Sequence, residues 1–96
     1  MFEIVVSCKG LPERAARASL DDLLEEFAER PWHTDVTCRW DNDRIVLQAR
    51  NDYDSTGNAL LDEFWDALCA CIRIDDSVAS FAVEVESVTT VPDAPA

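Results

Sequence analysis

The sequence predicts a two-layer α+β sandwich, in which four antiparallel strands form one sheet and two helices cover one of its faces. The chain has 96 residues, of which 48% are hydrophobic, and this suffices for a single domain with one core. Four segments alternate apolar and polar residues with the period of a strand, while two longer segments repeat apolar residues every three or four positions. Their order along the chain is strand, helix, strand, strand, helix, strand.

The N-terminal third contains the first strand and the first helix. Residues 2–8 alternate between an apolar and a mixed face, which is typical of a half-buried strand. Gly10 ends this strand, and Pro12 suits a first helical turn because its missing N–H has no helical partner there. Pro31 follows the helix and ends it. The expected core positions of the helix are Ala16, Leu20, Leu23, Leu24, Phe27 and Ala28.

The middle of the chain predicts a hairpin of two strands. Residues 33–40 alternate, with Val36, Cys38 and Trp40 on the inward side. Residues 41–43, Asp-Asn-Asp, tolerate the left-handed conformations of a tight turn. Residues 44–50 then form the next strand. Its inward positions are Ile45, Leu47 and Ala49.

The second helix and the last strand complete the domain. Either Asp54 or Ser55 is expected to cap the helix, which runs to about residue 73. After a turn at residues 75–77, residues 78–88 form the strand, and we assign residues 1–91 to one domain and residues 92–96 to a C-terminal tail. The inward positions of the strand are Phe81, Val83 and Val85. The expected core stripe of the helix is Leu61, Phe64, Trp65, Leu68, Cys69 and Ile72.

This order of elements is that of the ferredoxin-like βαββαβ sandwich. Right-handed crossovers place the first and third strands at the centre and both helices on one face, which leaves the other face open. The residues expected on the open face are Glu3, Val5, Ser7, Thr37, Arg39, Val46, Gln48, Arg50, Glu84 and Glu86. Five of them are predicted to bind a partner protein or a second copy of the chain: Val5, Arg39, Val46, Gln48 and Arg50.

The charge of the chain restricts the classes of partner. Twenty acidic residues against eight basic ones give a net charge of −12, which repels nucleic-acid phosphates and anionic lipid headgroups. The outward strand positions also lack the stacking aromatic residues of RNA-binding sheets. We therefore expect no nucleic-acid or membrane partner, and the expected partner is either a basic protein or a second copy of the chain. No apolar run approaches the ~20 residues that span a bilayer, and we expect a cytoplasmic protein whose four cysteines are thiols.

The cysteines and the single histidine are the candidates for chemistry. Cys69 and Cys71 diverge by roughly 200° on a helix, so they do not suit one metal ion. Cys8 and Cys38 fall on inward strand faces. His33 and Asp35 would share one side of a strand and form the best available acid–base pair, although no nucleophile accompanies them. The sequence therefore predicts no catalytic residues, no metal site and no cofactor.

Residues 10–14, Gly-Leu-Pro-Glu-Arg, resemble the loop-to-helix junction of ACT-type regulatory domains. The resemblance implies a dimer that holds a small effector, such as an amino acid, at Gly10, Leu11, Pro12 and Glu13. Three hypotheses follow. The leading one is a small acidic, non-catalytic interaction module, and the alternatives are a dimeric ligand-binding regulatory domain and a small enzyme that uses His33 and Asp35.

Overall fold

The computed structural model describes residues 1–72 and 81–92 and confirms the predicted order of elements. The strands are β1 (Phe2–Lys9), β2 (Thr34–Asp41), β3 (Arg44–Asn51) and β4 (Ala82–Thr90), and the helices are α1 (Glu13–Ala28) and α2 (Asn58–Cys71). The sheet is antiparallel in the order β2-β3-β1-β4, so β1 and β3 are central as predicted. None of the helices in the described ranges is both long enough and apolar enough to cross a membrane.

The core lies between the sheet and the two helices. Alternate residues of the central strands are fully buried there, as the period-two pattern predicts. They are Ile4, Val6 and Cys8 of β1 and Ile45, Leu47 and Ala49 of β3. Leu23 and Phe27 of α1 pack against them, and burial of each such large side chain stabilises the fold by about 1.5–3 kcal/mol. On α1, Ala28 is exposed rather than buried, and Ser19 is buried with its hydroxyl donating to the carbonyl oxygen of Ala16 at 2.7 Å.

The predicted core stripe of α2 is partly wrong. Phe64 and Leu68 are fully buried as expected, but the side chain of Trp65 is 42% exposed and Cys69 is also exposed. The helix instead buries Leu60 and Ala67. Apolar residues surround most of α2, so helical spacing alone fits more than one face. Packing against the sheet and α1 selects the face that contains Leu60, while Trp65 contacts Phe81 with ring centroids 4.9 Å apart.

A buried carboxylate caps α2 from outside the helix. The side chain of Asp54 accepts hydrogen bonds from the backbone N–H groups of Leu60 (2.9 Å) and Ala59 (3.3 Å), although the helix begins only at Asn58. The chain reaches this position through Gly57, whose φ of 81° is left-handed. A Cβ atom at Gly57 would lie 3.0 Å from Val85, so a larger residue would disturb the packing there. The N-cap residue is therefore Gly57 and neither of the two predicted residues, although Asp54 supplies the acceptor for the N–H groups of the first turn.

Both edge strands have an irregular register. The pairing of β2 with β3 shifts between Thr34 and Thr37, where Asp35 has a φ of 52°. The pairing of β4 with β1 shifts next to Val5, which leaves Glu86 as an additional residue on β4. Such bulges bend an edge strand and interrupt its ladder.

The turn between β2 and β3 and the inward residues of the last strand follow the sequence prediction. The hairpin turn is confirmed, with Asn42 and Asp43 both in the left-handed region. Phe81, Val83 and Val85 pack against the core as predicted. The predicted helix end at residue 73, the turn at residues 75–77, the strand positions 78–80 and the tail residues 93–96 lie outside the described residues.

Asp54→Ala should lower the free energy of unfolding by about 1–2 kcal/mol, because two N–H groups in the first turn of α2 lose their acceptor. Ser55→Ala is the matched control, since Ser55 is exposed and adjacent in sequence, and it should change stability by less than about 0.5 kcal/mol. Urea denaturation measures both. Equal losses in the two variants would contradict the assignment of Asp54 as the acceptor for these N–H groups.

Stability should fall above about pH 9, because the folded state holds thiol protons that the unfolded state releases. Burial raises the pKa of Cys8 from 9.0 to about 12, and burial followed by the charge of Cys71 does the same for Cys38. Each raised pKa therefore contributes stability that is complete below pH 9 and lost as the pH rises towards 12. Urea denaturation at about pH 8 and pH 10.5 should show a smaller loss for Cys8→Ala than for the unmodified protein. Equal losses would contradict this linkage.

Candidate functional site

Ion pairs cover the open face of the sheet. The closest joins Arg50 Nη2 to Glu3 Oε2 at 2.6 Å, and Arg50 Nε donates to the same oxygen at 2.9 Å. The hydroxyl of the fully buried Ser7 donates to Glu86 at 2.9 Å. The pairs on this face are Arg50–Glu3, Arg50–Asp35, Lys9–Glu84 and Arg44–Glu86. Positive and negative side chains therefore neutralise each other on this face.

The five predicted binding residues lie on this face, but they do not form an apolar surface. Arg39 is exposed, Arg50 is paired with Glu3, and Val5 and Gln48 are half-buried. Val46 was expected to face solvent but is only 3% exposed, and it lies between Ser7 and Arg39 in the sheet register. The large hydrophobic side chains that are exposed in the described part of the chain are elsewhere, at Trp32, Tyr53 and Trp65.

In the loop implied by the ACT-type resemblance, Leu11 is buried whereas Gly10, Pro12 and Glu13 are exposed. Leu11 is 5% exposed and belongs to the core, and Glu13 pairs with Arg17 at 2.7 Å. Gly10 has a φ of 99°, and Pro12 immediately precedes α1. These residues therefore mainly connect β1 to α1.

The structure separates His33 from Asp35. His33 lies in the turn before β2 with its side chain fully buried, and its Nε2 is hydrogen-bonded to Oε2 of Glu63 on α2. Asp35 lies at the irregular start of β2 with its side chain 73% exposed, 3.8 Å from Arg50. The carboxylate that meets the histidine is thus Glu63 and not Asp35.

Hydrogen bonds around Asn51 define the tautomer of His33. The Oδ1 atom of Asn51 accepts the backbone N–H groups of Tyr53 (3.2 Å) and Asp54 (2.8 Å). The Nδ2 group of Asn51 therefore faces His33 Nδ1 at 3.3 Å and donates to it. The imidazole consequently carries its proton on Nε2 and donates it to Glu63. Both ring nitrogens of this fully buried side chain are therefore hydrogen-bonded within the protein.

Glu63 also holds an exposed tryptophan. Its Oε1 atom accepts the indole N–H of Trp32 at 3.0 Å and lies 3.8 Å from Arg30 Nε. The ring of Trp32 is 6.0 Å from that of His33, and the ring of Tyr53 is 6.3 Å from it. Trp32 and Tyr53 are 49% and 50% exposed. We call Trp32, His33, Tyr53 and Glu63 the aromatic corner.

An acidic groove of about 300 Å³ lies between α1 and the C-terminal end of α2. Among the described residues, its lining contains four carboxylates and no basic side chain: Asp22, Glu25, Glu26, Glu29, Ala70 and Cys71. Burial, and then the charges of Glu26, Asp22 and Glu25, raise the pKa of the Cys71 thiol. Arg30 connects the groove to the aromatic corner, because its guanidinium lies 3.5 Å from Glu26 and 3.8 Å from Glu63. We call the groove and its four carboxylates the acidic groove.

The charge of the chain is divided between its two layers. The helices α1 and α2 contain eight carboxylates and only two arginines, Arg14 and Arg17. Carboxylates on the open face of the sheet have basic partners within 4 Å, as described above. Among the described residues, the excess of negative charge therefore lies mainly on the helix layer.

The cysteines do not form a reactive centre. Cys8 is buried and Cys38 is partly buried, as predicted for core residues, and no disulfide joins the four cysteines, as predicted for thiols. Within residues 1–72 and 81–92, no group of three or more His, Cys, Asp or Glu side chains is arranged to hold a metal ion.

Sequence analysis did not identify the aromatic corner. In the sequence, Glu63 is one of several acidic residues on α2 and nothing distinguishes it from the others. Its contact with His33 joins residues 30 positions apart, which local patterns do not reveal. The available signal was the presence of large aromatic residues, Trp32 and Tyr53, in two segments that also contain the polar and turn-forming residues of loops.

No protein-family model matches the sequence, and no curated protein or solved structure matches it either. We therefore infer its function from the acidic groove and the aromatic corner, which meet at Arg30.

Glu63→Gln should lower the free energy of unfolding by about 1–3 kcal/mol, because an amide has one acceptor oxygen and the carboxylate serves two N–H donors. Asp62→Asn removes the same charge from an exposed neighbour on α2 and should have an effect below about 0.5 kcal/mol. Chemical denaturation followed by tryptophan fluorescence measures both variants. Two equal effects would mean that Glu63 does not connect Trp32 and His33.

Proposed function

We propose that this protein is a non-catalytic interaction module that binds a basic segment of a partner protein along its helix layer, with the acidic groove as the main contact. The observation that carries the proposal is the division of charge between the layers. Carboxylates on the open face already have basic partners, whereas Glu26 is the one groove carboxylate for which a basic partner is described. A basic ligand therefore gains most by approaching the helices.

The spacing of the groove carboxylates supports the same surface. Asp22, Glu25, Glu26 and Glu29 are three or four positions apart on or next to α1, so they form four like-charge pairs along one side of the helix. Each such pair destabilises a helix by about 0.2–0.5 kcal/mol. Arginine or lysine side chains placed between these carboxylates would remove that repulsion. The groove, at about 300 Å³, has room for such side chains.

The open face of the sheet offers less for self-association. Of its two predicted apolar residues, Val46 is buried and Val5 is half-buried, and most of its charged side chains are paired within the same chain. Interface cores are enriched in exposed aromatic residues, and in the described part of this chain these lie off the open face. We therefore place the contact with a basic partner on the helix layer and not on the open face.

Fluorescence anisotropy with a labelled oligoarginine peptide tests the proposal. We expect binding at low salt that is lost at about 1 M NaCl, where the Debye length is about 3 Å. The variant Asp22→Asn/Glu25→Gln/Glu29→Gln should weaken binding about tenfold, because it removes three groove charges and keeps Glu26 for Arg30.

The matched control is Asp35→Asn/Asp41→Asn/Asp43→Asn, which changes the net charge by the same amount in and beside β2. Asparagine also tolerates the left-handed backbone of Asp35 and Asp43. We expect the control to weaken binding by no more than about threefold. Equal weakening in both triple variants would mean that the peptide responds to net charge alone, and would overturn the proposal. Light scattering on the free protein checks that self-association does not alter the comparison.

A further inference from the structure

The aromatic corner exposes two large aromatic side chains, each next to the buried ring of His33. Trp32 and Tyr53 are each about half exposed, and both rings adjoin the buried ring of His33, at 6.0 and 6.3 Å between centroids. Both exposed rings therefore border the same buried imidazole. Exposed tryptophan and tyrosine are the residues most often found to dominate the binding energy of protein interfaces.

Hydrogen bonds hold these aromatic residues in position. The indole N–H of Trp32 donates to Glu63, which is itself bonded to His33. The backbone N–H of Tyr53 donates to Asn51, whose side-chain amide donates to the other nitrogen of His33. One connected set of bonds thus anchors both residues before any ligand arrives. Such preorganisation reduces the entropy that binding would otherwise lose.

The electrostatic surroundings select the charge of the ligand. Burial, and then the charges of Glu63, Asp54 and Asp52, raise the pKa of the Tyr53 hydroxyl, so three carboxylates act on this position. Arg30 offsets part of this charge through its contact with Glu63. Aromatic surfaces bind either nucleic-acid bases or cations, and an excess of carboxylates disfavours a phosphate backbone.

The chain contains an internal example of the expected contact. The guanidinium of Arg30 lies over the ring of Phe27, 5.3 Å from its centroid, and also contacts the carboxylates of Glu26 and Glu63. Arginine combines a flat face that stacks on aromatic rings with donors that bind carboxylates. The neighbouring aromatic corner also combines exposed aromatic rings with nearby carboxylates.

We propose that the aromatic corner is a binding subsite for an arginine side chain of the basic partner, stacked on Trp32 or Tyr53 next to Asp52 and Glu63. This inference rests on the proposed function, since it places an anchor beside the acidic groove. The connection through Arg30 makes the two surfaces contiguous, so one basic segment reaches both. The groove supplies charge attraction, and the corner supplies preference for arginine.

The test uses the same labelled oligoarginine peptide with Tyr53→Leu and Trp32→Leu. Each should weaken binding about two- to fivefold, because leucine keeps apolar area but has no aromatic face for the cation. Tyr53→Phe retains the ring and should bind within about twofold of the unmodified protein. Trp65→Leu is the matched control, since Trp65 is also exposed but stacks on Phe81 outside the corner, and it should leave affinity unchanged. Circular dichroism confirms that each variant is folded.

Two further measurements distinguish the possible failures. Oligolysine of equal length should lose less affinity than oligoarginine in the leucine variants, because lysine has no flat face to stack. If the groove variant weakens binding while both leucine variants bind like the unmodified protein, the acidic groove is retained and the arginine subsite is wrong. If the groove variant weakens binding no more than its charge-matched control but the leucine variants weaken binding, the arginine subsite is supported and the acidic groove is wrong. Binding of a single-stranded oligonucleotide that is lost in the leucine variants would overturn the choice of a cation.

Discussion

The buried imidazole of His33 is the contact on which the arrangement of the aromatic corner depends. Through its two nitrogens it joins Asn51 at the end of β3 to Glu63 in α2, and it lies in the turn that leads into β2. Three segments that are distant in sequence are therefore held at one end of the sandwich. Because Trp32 and Tyr53 extend from two of these segments, their exposure follows from the packing of the layers and not from the conformation of isolated loops.

The distribution of charge is a second property of the whole fold. Pairs such as Arg50–Glu3 lie on a partly exposed sheet surface, where an ion pair adds little stability. Their main effect is to cancel charge on that side of the protein. The helix layer retains its carboxylates at some expense to the stability of α1, and the apolar core compensates for it. In the described part of the chain, unpaired carboxylates therefore lie mainly on the helix side of the sandwich.

Local periodicity was sufficient to predict the order of elements and the central strands, because alternation depends only on which face of a strand is buried. It was insufficient for α2, where apolar residues on several sides left the choice between Leu60 and Trp65 to tertiary packing. The site was less predictable still. The contact of His33 with Glu63 depends on how a turn meets a helix 30 positions later, and the burial of Val46 depends on the side chains around it. Neither has a signature in a single sequence.

The irregular edges of the sheet have a consequence for the behaviour of the chain at high concentration. A sheet with straight, regularly paired edges offers rows of free backbone N–H and C=O groups to any other strand, and this is a common route to aggregation. Here the register shift beside Asp35 interrupts one edge, and the additional residue Glu86 interrupts the other. An approaching copy therefore meets a bent strand at either edge. The fold thereby discourages strand-by-strand polymerisation while the helix layer remains free for binding.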